Sequence, residues 1–250
     1  MTFDGSRGRA RIGVLVPYTN TNMEPDLALL RPEGVSLHFT RMGGYDVDAV
    51  PDAEQMAGLG EAPLDEPLEL LSGARPDLIM YGCTSATLSH GISFDQDLAN
   101  RIFQLSGAKT VTAAGALVFA LNSLGAKSIG FASPYTADIN EAAQAFLADS
   151  GFEIAGSAGV NSDLGNYGQG ELSLNEVLDL GKSADNDDVE VVVLSCTEMR
   201  SIEVISQLEQ AIKKPVVTSN QAMMYQACCL LDLPMPDRRF GHLLNRESST

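Results

Sequence analysis

The chain has 250 residues, 33 acidic against 16 basic, for a formal net charge of −17 and a hydrophobic share of 44%. That field argues against nucleic acid and anionic membrane surfaces as partners. No apolar run reaches the length of a membrane span, the polar start Met1–Arg9 does not read as a signal peptide, and four cysteines with three scattered histidines (His38, His90, His242) form no zinc-like cluster, so a reduced, metal-free, cytoplasmic protein is expected.

In chain order, Arg11–Pro17 reads as a buried parallel strand and Tyr18–Asn22 as a polar turn with several potential N-caps. A helix follows from about Met23 to Leu30, and Val35–Thr40 alternates as a strand. Residues 43–65 read as a loop with one short helix around Asp52–Leu59. Leu64–Leu71 reads as a helix and Pro76–Tyr81 as a strand that stops at Gly82, followed by Cys83-Thr84-Ser85. Then come a helix over Asp95–Leu105, a strand over Lys109–Thr112, a helix over Ala113–Leu124, a strand over Ser128–Pro134 and a helix over Asp138–Ser150. Phe152–Ala158 is a strand, 159–171 a Gly/Asn loop, Leu174–Ala184 a helix and Val189–Leu194 a strand that ends in Ser195-Cys196-Thr197. Ser201–Lys213 is a helix, Pro215–Thr218 a strand and Ser219–Leu231 the last helix; the tail from Pro234 reads as a surface segment.

Strands alternating with helices imply a parallel α/β architecture. The chain also repeats itself: Ile12–Thr19 matches Ile129–Thr136, 117 residues on, and the Cys83-Thr84 and Cys196-Thr197 pairs lie 113 residues apart. Two pseudo-symmetric parallel-sheet lobes are therefore expected, in a three-layer αβα arrangement with the active site in the cleft between them. The N-terminal lobe would be 1–110, completed by 215–250, and the C-terminal lobe 111–214.

A cysteine is usually a core residue, and that reading suits Cys228 and Cys229, mid-helix among apolar neighbours. Cys83 and Cys196 differ. Each ends an apolar strand where a helix begins, a setting that favours thiolate. Two thiols flanking one carbon can swap a proton between its faces, or one can add to a double bond while the other supplies the proton. Both routes build negative charge beside a carboxylate, which needs donors aimed at it. Thr84, Ser85, Tyr135, Thr197 and Asn20 are candidates, and capping or turn formation is the plainer reading of each. Arg200 and His90 read as surface residues.

These residues resemble the aspartate/glutamate racemase superfamily, and within it the maleate cis-trans isomerase and arylmalonate decarboxylase branch. The resemblance covers about residues 10–232. Val16-Pro17-Tyr18-Thr19-Asn20-Thr21-Asn22-Met23-Glu24 is similar to the isomerases' opening signature, with Asn20 on their substrate-binding Asn; Tyr18 stands where Ser is usual. Cys83 and Cys196 fall on the two catalytic cysteines and Tyr135 on the binding Tyr. Asn166, or alternatively Asn161, falls nearest the second binding Asn. The resemblance implies chemistry without cofactor or metal on a small carboxylate, in a homo-oligomer, dimer or tetramer. The decarboxylases carry Gly at the first cysteine position, so Cys83 points to an isomerase or racemase acting on a maleate-like substrate. Thr84-Ser85 resembles the decarboxylases' carboxylate-binding pair, which keeps decarboxylation with Cys196 as proton donor as an alternative. A non-catalytic carboxylate-binding protein is a third reading.

Overall fold

The computed structural model describes residues 7–43, 54, 58, 60–160 and 164–245. Its elements are β1 (Arg7–Pro17), α1 (Met23–Leu30), β2 (Gly34–Met42), α2 (Asp65–Ser72), β3 (Leu78–Tyr81), α3 (Thr84–Leu88), α4 (Ile92–Ser106), β4 (Lys109–Thr112), α5 (Ala113–Leu124), β5 (Ser128–Ser133), α6 (Ala137–Asp149), β6 (Glu153–Gly159), α7 (Gly165–Glu171), α8 (Leu174–Ser183), β7 (Val191–Leu194), α9 (Ile205–Ile212), β8 (Val216–Thr218) and α10 (Ser219–Leu231). The short helix expected around Asp52–Leu59 falls largely outside the described residues.

The strands form two four-stranded parallel sheets with the same spatial order, β2-β1-β3-β4 and β6-β5-β7-β8. The repeat seen in the sequence is thus a repeat of topology, with β1 matching β5 and β3 matching β7. All four residues of β3 and all four of β7 are buried. Successive residues of a strand point to opposite faces, so both sheets are covered on both sides. That is why Leu78-Ile79-Met80-Tyr81 and Val191-Val192-Val193-Leu194 are continuous apolar runs rather than alternating ones.

Each sheet ends in a strand that feeds a capped helix. The Thr112 side chain accepts from Gly115 N–H at the start of α5, and Thr218 with Gln221 forms a capping box at the start of α10. These two helices pack on one another, and α10 also lies against α1 and β4 of the first sheet. The lobe boundary expected at 215 is therefore corrected: Val216–Thr218 pairs with β7 in the second sheet, and the chain returns to the first only with α10. Apolar Val216-Val217 offers one more strand to a buried sheet edge, which local sequence does not distinguish from the start of a crossing segment.

Two other segments differ from expectation. Within the 159–171 stretch, Gly165–Glu171 is helical, held by tertiary contacts described below rather than by its glycine-rich composition. The tail is docked, not merely superficial: Phe240, Leu243 and Leu244 are buried, and Gln221 Nε2 donates to the Phe240 carbonyl at 2.6 Å. Among the described residues no helix is long and apolar enough to cross a membrane.

Candidate active site

The carboxyl ends of β1, β3, β5 and β7 converge, and each delivers one group of side chains. After β3 the chain passes through Gly82, where a Cβ would lie 2.4 Å from Met23 Sδ and 2.8 Å from the Leu15 carbonyl. Only glycine fits that close passage, and it places Cys83 as the extended residue (φ −128°, ψ 106°) that opens α3. Ser85 Oγ lies 3.6 Å from the Cys83 sulfur, and the backbone N–H groups of Ala86 and Ser85 lie near enough to lower the thiol's pKa without closing a capping hydrogen bond. After β7, the N–H groups of Glu198 and Met199 point at the Cys196 sulfur. The donors sit two and three residues beyond the cysteine in both lobes, so the two thiols rest in matching backbone cradles.

Side chains from the two lobes interlock around these thiols. Thr197 Oγ1 donates to the Gly82 carbonyl at 2.9 Å and accepts from Asn20 Nδ2 at 3.1 Å. The Asn20 Oδ1 receives the N–H groups of Met23 (2.9 Å) and Asn22 (3.2 Å), so Asn20 caps α1 with its oxygen and aims its amide nitrogen across the cleft. Glu198 accepts from the Thr21 backbone (2.8 Å) and hydroxyl (2.9 Å). The Tyr135 hydroxyl shares a hydrogen bond with Ser195 Oγ at 3.4 Å and also bonds Thr84. Thr84 Oγ1 in turn donates to Ser219 Oγ at 3.1 Å. Behind Thr197, Asn220 Nδ2 donates to the Thr197 carbonyl at 3.0 Å and to Asp26 Oδ2 at 2.9 Å.

Burial decides the electrostatics. Cys83 and Cys196 are only 5% and 4% exposed. Burial pushes the Cys83 thiol above its ordinary value, against the pull of the Ala86 and Ser85 donors. It pushes Cys196 up to about 12, with the Glu198 carboxylate and Cys83 adding to it. The sequence expectation that a helix start would favour thiolate is thus corrected for the unliganded site: the N–H dipoles are present, but desolvation outweighs them. Tyr135 is raised well above its ordinary value, first by burial and then by Cys196, so it is a neutral donor. Two flanking arginines are committed elsewhere. Arg41 donates to the Asn20 and Pro17 carbonyls and pairs with Glu24 at 2.7 Å, and Arg200 forks onto Glu203 at 2.9 and 3.0 Å.

The arylmalonate decarboxylase family profile matches residues 12–244, nearly the whole chain and both cysteine turns. The chain belongs to that family. A maleate isomerase of Pseudomonas putida (strain KT2440) is 30% identical over 238 residues, covering 89% of this chain and 92% of the relative. Among solved structures, a cysteine-to-alanine variant of the Pseudomonas putida S16 maleate isomerase with maleate superposes with a TM-score of 0.85 at 26% identity, covering 94% of this chain and 97% of that one. A cysteine-to-serine mutant of the Nocardia farcinica maleate cis-trans isomerase, with a covalently bound succinylcysteine intermediate, gives 0.85 at 25% identity, covering 96% and 99%.

In this member of the arylmalonate decarboxylase family, the structure brings Asn20, Cys83, Thr84, Ser85, Tyr135, Cys196 and Thr197 into one hydrogen-bonded and electrostatic neighbourhood. Asn161 and the side chain of Asn166 lie outside the described residues. Gln169, whose Oε1 accepts from the Cys196 thiol at 3.3 Å, was not singled out from sequence, because it falls in the stretch read as a loop. Ser195, Glu198, Ser219 and Asn220 were also missed; the position of Ser195 just before Cys196, as Gly82 precedes Cys83, was the available signal. His90 stacks on Phe94 at 3.9 Å, and Cys228 is buried in α10 beside half-buried Cys229. Among the described residues no group of three or more His, Cys, Asp or Glu is placed to hold a metal ion.

Proposed function

We propose that this chain is a cofactor-independent isomerase of a small dicarboxylate of the maleate class, working through Cys83 and Cys196. The single observation behind this reading is the pair of thiols in matching backbone cradles at the ends of β3 and β7, each within electrostatic reach of the other and of the Tyr135 hydroxyl. The sequence similarity to maleate isomerases supports the substrate class.

The chemistry follows from the arrangement. Cys83, as thiolate, adds to one alkene carbon; a C–S bond forms and the π pair moves to the neighbouring carbon, where the adjacent carboxylate delocalises it. Cys196 gives its proton to that carbon and is left as thiolate. The former double bond is now single and rotates. Cys196 then takes a proton back from the same carbon, the C–S bond breaks, the trans alkene forms and Cys83 leaves as thiolate. Asn20, through the second hydrogen of its amide, Tyr135 and Ser85 supply neutral donors to the two carboxylates, stabilising the charge that builds beside them, and Thr84 and Thr197 join them by releasing the Ser219 and Gly82 contacts they make in the unliganded site. Neutral donors suit a site whose flanking arginines are already paired. Asn166 is the further binding residue in this reading.

The test is turnover of maleate to fumarate followed by proton NMR with the purified protein. Cys83→Ala is expected to lose turnover entirely, and full activity in that variant would refute the two-thiol mechanism. The hydroxyl pair Thr84-Ser85 beside Cys83 favours a second reading, decarboxylation of a malonate with Cys196 as sole proton donor. Carbon dioxide release that survives Cys83→Gly would establish it. The isomerase reading also carries a cytoplasmic homo-oligomer, dimer or tetramer, which sedimentation and fractionation check.

A further inference from the structure

The two thiols share backbone cradles but not side-chain company. Beside Cys83 stands the Ser85 hydroxyl, which is able to donate to sulfur. Beside Cys196 stands the Gln169 Oε1, 3.3 Å away. A carboxamide oxygen only accepts, so this contact exists only while the hydrogen is on the sulfur. Glu198, two residues along, presents a carboxylate that opposes a second negative charge, and Cys83 and Tyr135 face Cys196 from the other elements.

The placement of Gln169 is built by tertiary contacts. Its helix, α7, carries Gly165, Gly168 and Gly170 and has little intrinsic helix preference. Asn22 Nδ2 donates to the Gly170 carbonyl at 3.0 Å. A Cβ at Gly170 would lie 2.3 Å from Glu198 Oε1 and 2.6 Å from Asn22 Nδ2. The missing side chain at Gly170 is therefore what lets α7 press against the Asn22 turn and Glu198, and that seats the preceding residue, Gln169, on the sulfur.

We propose that Gln169 is a positioning residue that holds the hydrogen on Cys196, and so decides which of the two equivalent thiols is the proton donor. The consequence for catalysis rests on the isomerase reading; the arrangement itself does not.

The experiment is alkylation by iodoacetamide at fixed pH without substrate, quantified at Cys196 and at Cys83 by peptide mass spectrometry. Below a thiol's pKa the rate follows its thiolate fraction. Gln169→Met keeps length and volume but removes the acceptor, and Cys196 alkylation is expected to rise about 3- to 10-fold, the effect of one hydrogen bond. Gln169→Glu keeps an acceptor oxygen and adds charge, and the rate is expected to fall by a similar factor. Gly170→Ala, which pushes α7 outward, is expected to behave like Gln169→Met. Cys83 alkylation in the same samples is expected to change less than about twofold. Changes of the same sign in Gln169→Met and Gln169→Glu, or no change in either, would overturn the proposal. No substrate enters this assay, so its failure leaves the isomerase reading standing, and an absence of maleate turnover would leave this proposal standing.

Discussion

Asp26→Asn offers the most quantitative test of the interlobe contacts. Asp26 lies on α1, is 3% exposed and accepts from Asn220, which also holds the Thr197 carbonyl. Burial raises its carboxyl from an ordinary 3.8 to about 7, against the Asn220 hydrogen bond; Glu203 adds to the rise, Arg200 opposes it and Glu198 adds to it. Because the folded value is the higher one, the folded state binds the extra proton between pH 4 and 7, and stability falls as pH rises through that window. Asparagine has the shape of the protonated acid and removes this slope. At about 1.36 kcal/mol per tenfold change in ionisation, the variant should be more stable than the parent by about 1.5 kcal/mol at pH 5 and about 4 kcal/mol at pH 8. Urea unfolding of both proteins across pH 5–8 measures the difference; the slope from Asp95, which does not interact with Asp26, cancels in the comparison, whereas Glu198 acts on Asp26 and its smaller change is part of the measured effect. Parallel stability profiles, or a variant less stable at pH 8, would refute the argument that desolvation dominates at Asp26.

Other outcomes follow from the site. Maleate kcat/KM should climb about tenfold per pH unit from pH 7 to 9, because burial raises Cys83 and the reactive form is thiolate; a plateau below pH 8 would contradict it. Gly82→Ala should cost about 1–3 kcal/mol in urea unfolding and depress turnover, since the new Cβ meets the Leu15 carbonyl at 2.8 Å and shifts Cys83. Thr197→Val leaves Asn20 Nδ2 and the Gly82 carbonyl without their shared partner and should destabilise by about 2 kcal/mol; a change under about 0.5 kcal/mol would show that these groups find other partners.

Much of this protein is local. Strand–helix alternation gave the parallel architecture, because periodicity and caps such as Thr112, Thr218 and Gln221 are set by neighbours in the chain. The internal repeat paired Cys83 with Cys196 because the lobes are copies of one topology, and strands with matching neighbours deliver their ends to matching places. What tertiary structure alone decided is how those ends meet. The helix-start dipole at Cys83 is visible in sequence, but the burial that outweighs it comes from the whole packed site. Glycine-rich 165–171 carries no local helix signal; Asn22 holds its Gly170 carbonyl, the missing Cβ at Gly170 lets it pack against Glu198, and that packing is what brings Gln169 to Cys196. Thr197 reaches Asn20 across 177 residues of chain. Desolvation and long-range hydrogen bonds depend on atoms far apart in the chain, so the sequence marked Cys83, Cys196 and their hydroxyl and amide neighbours, and only packing decided that Gln169 joins them, which groups touch and in what charge state.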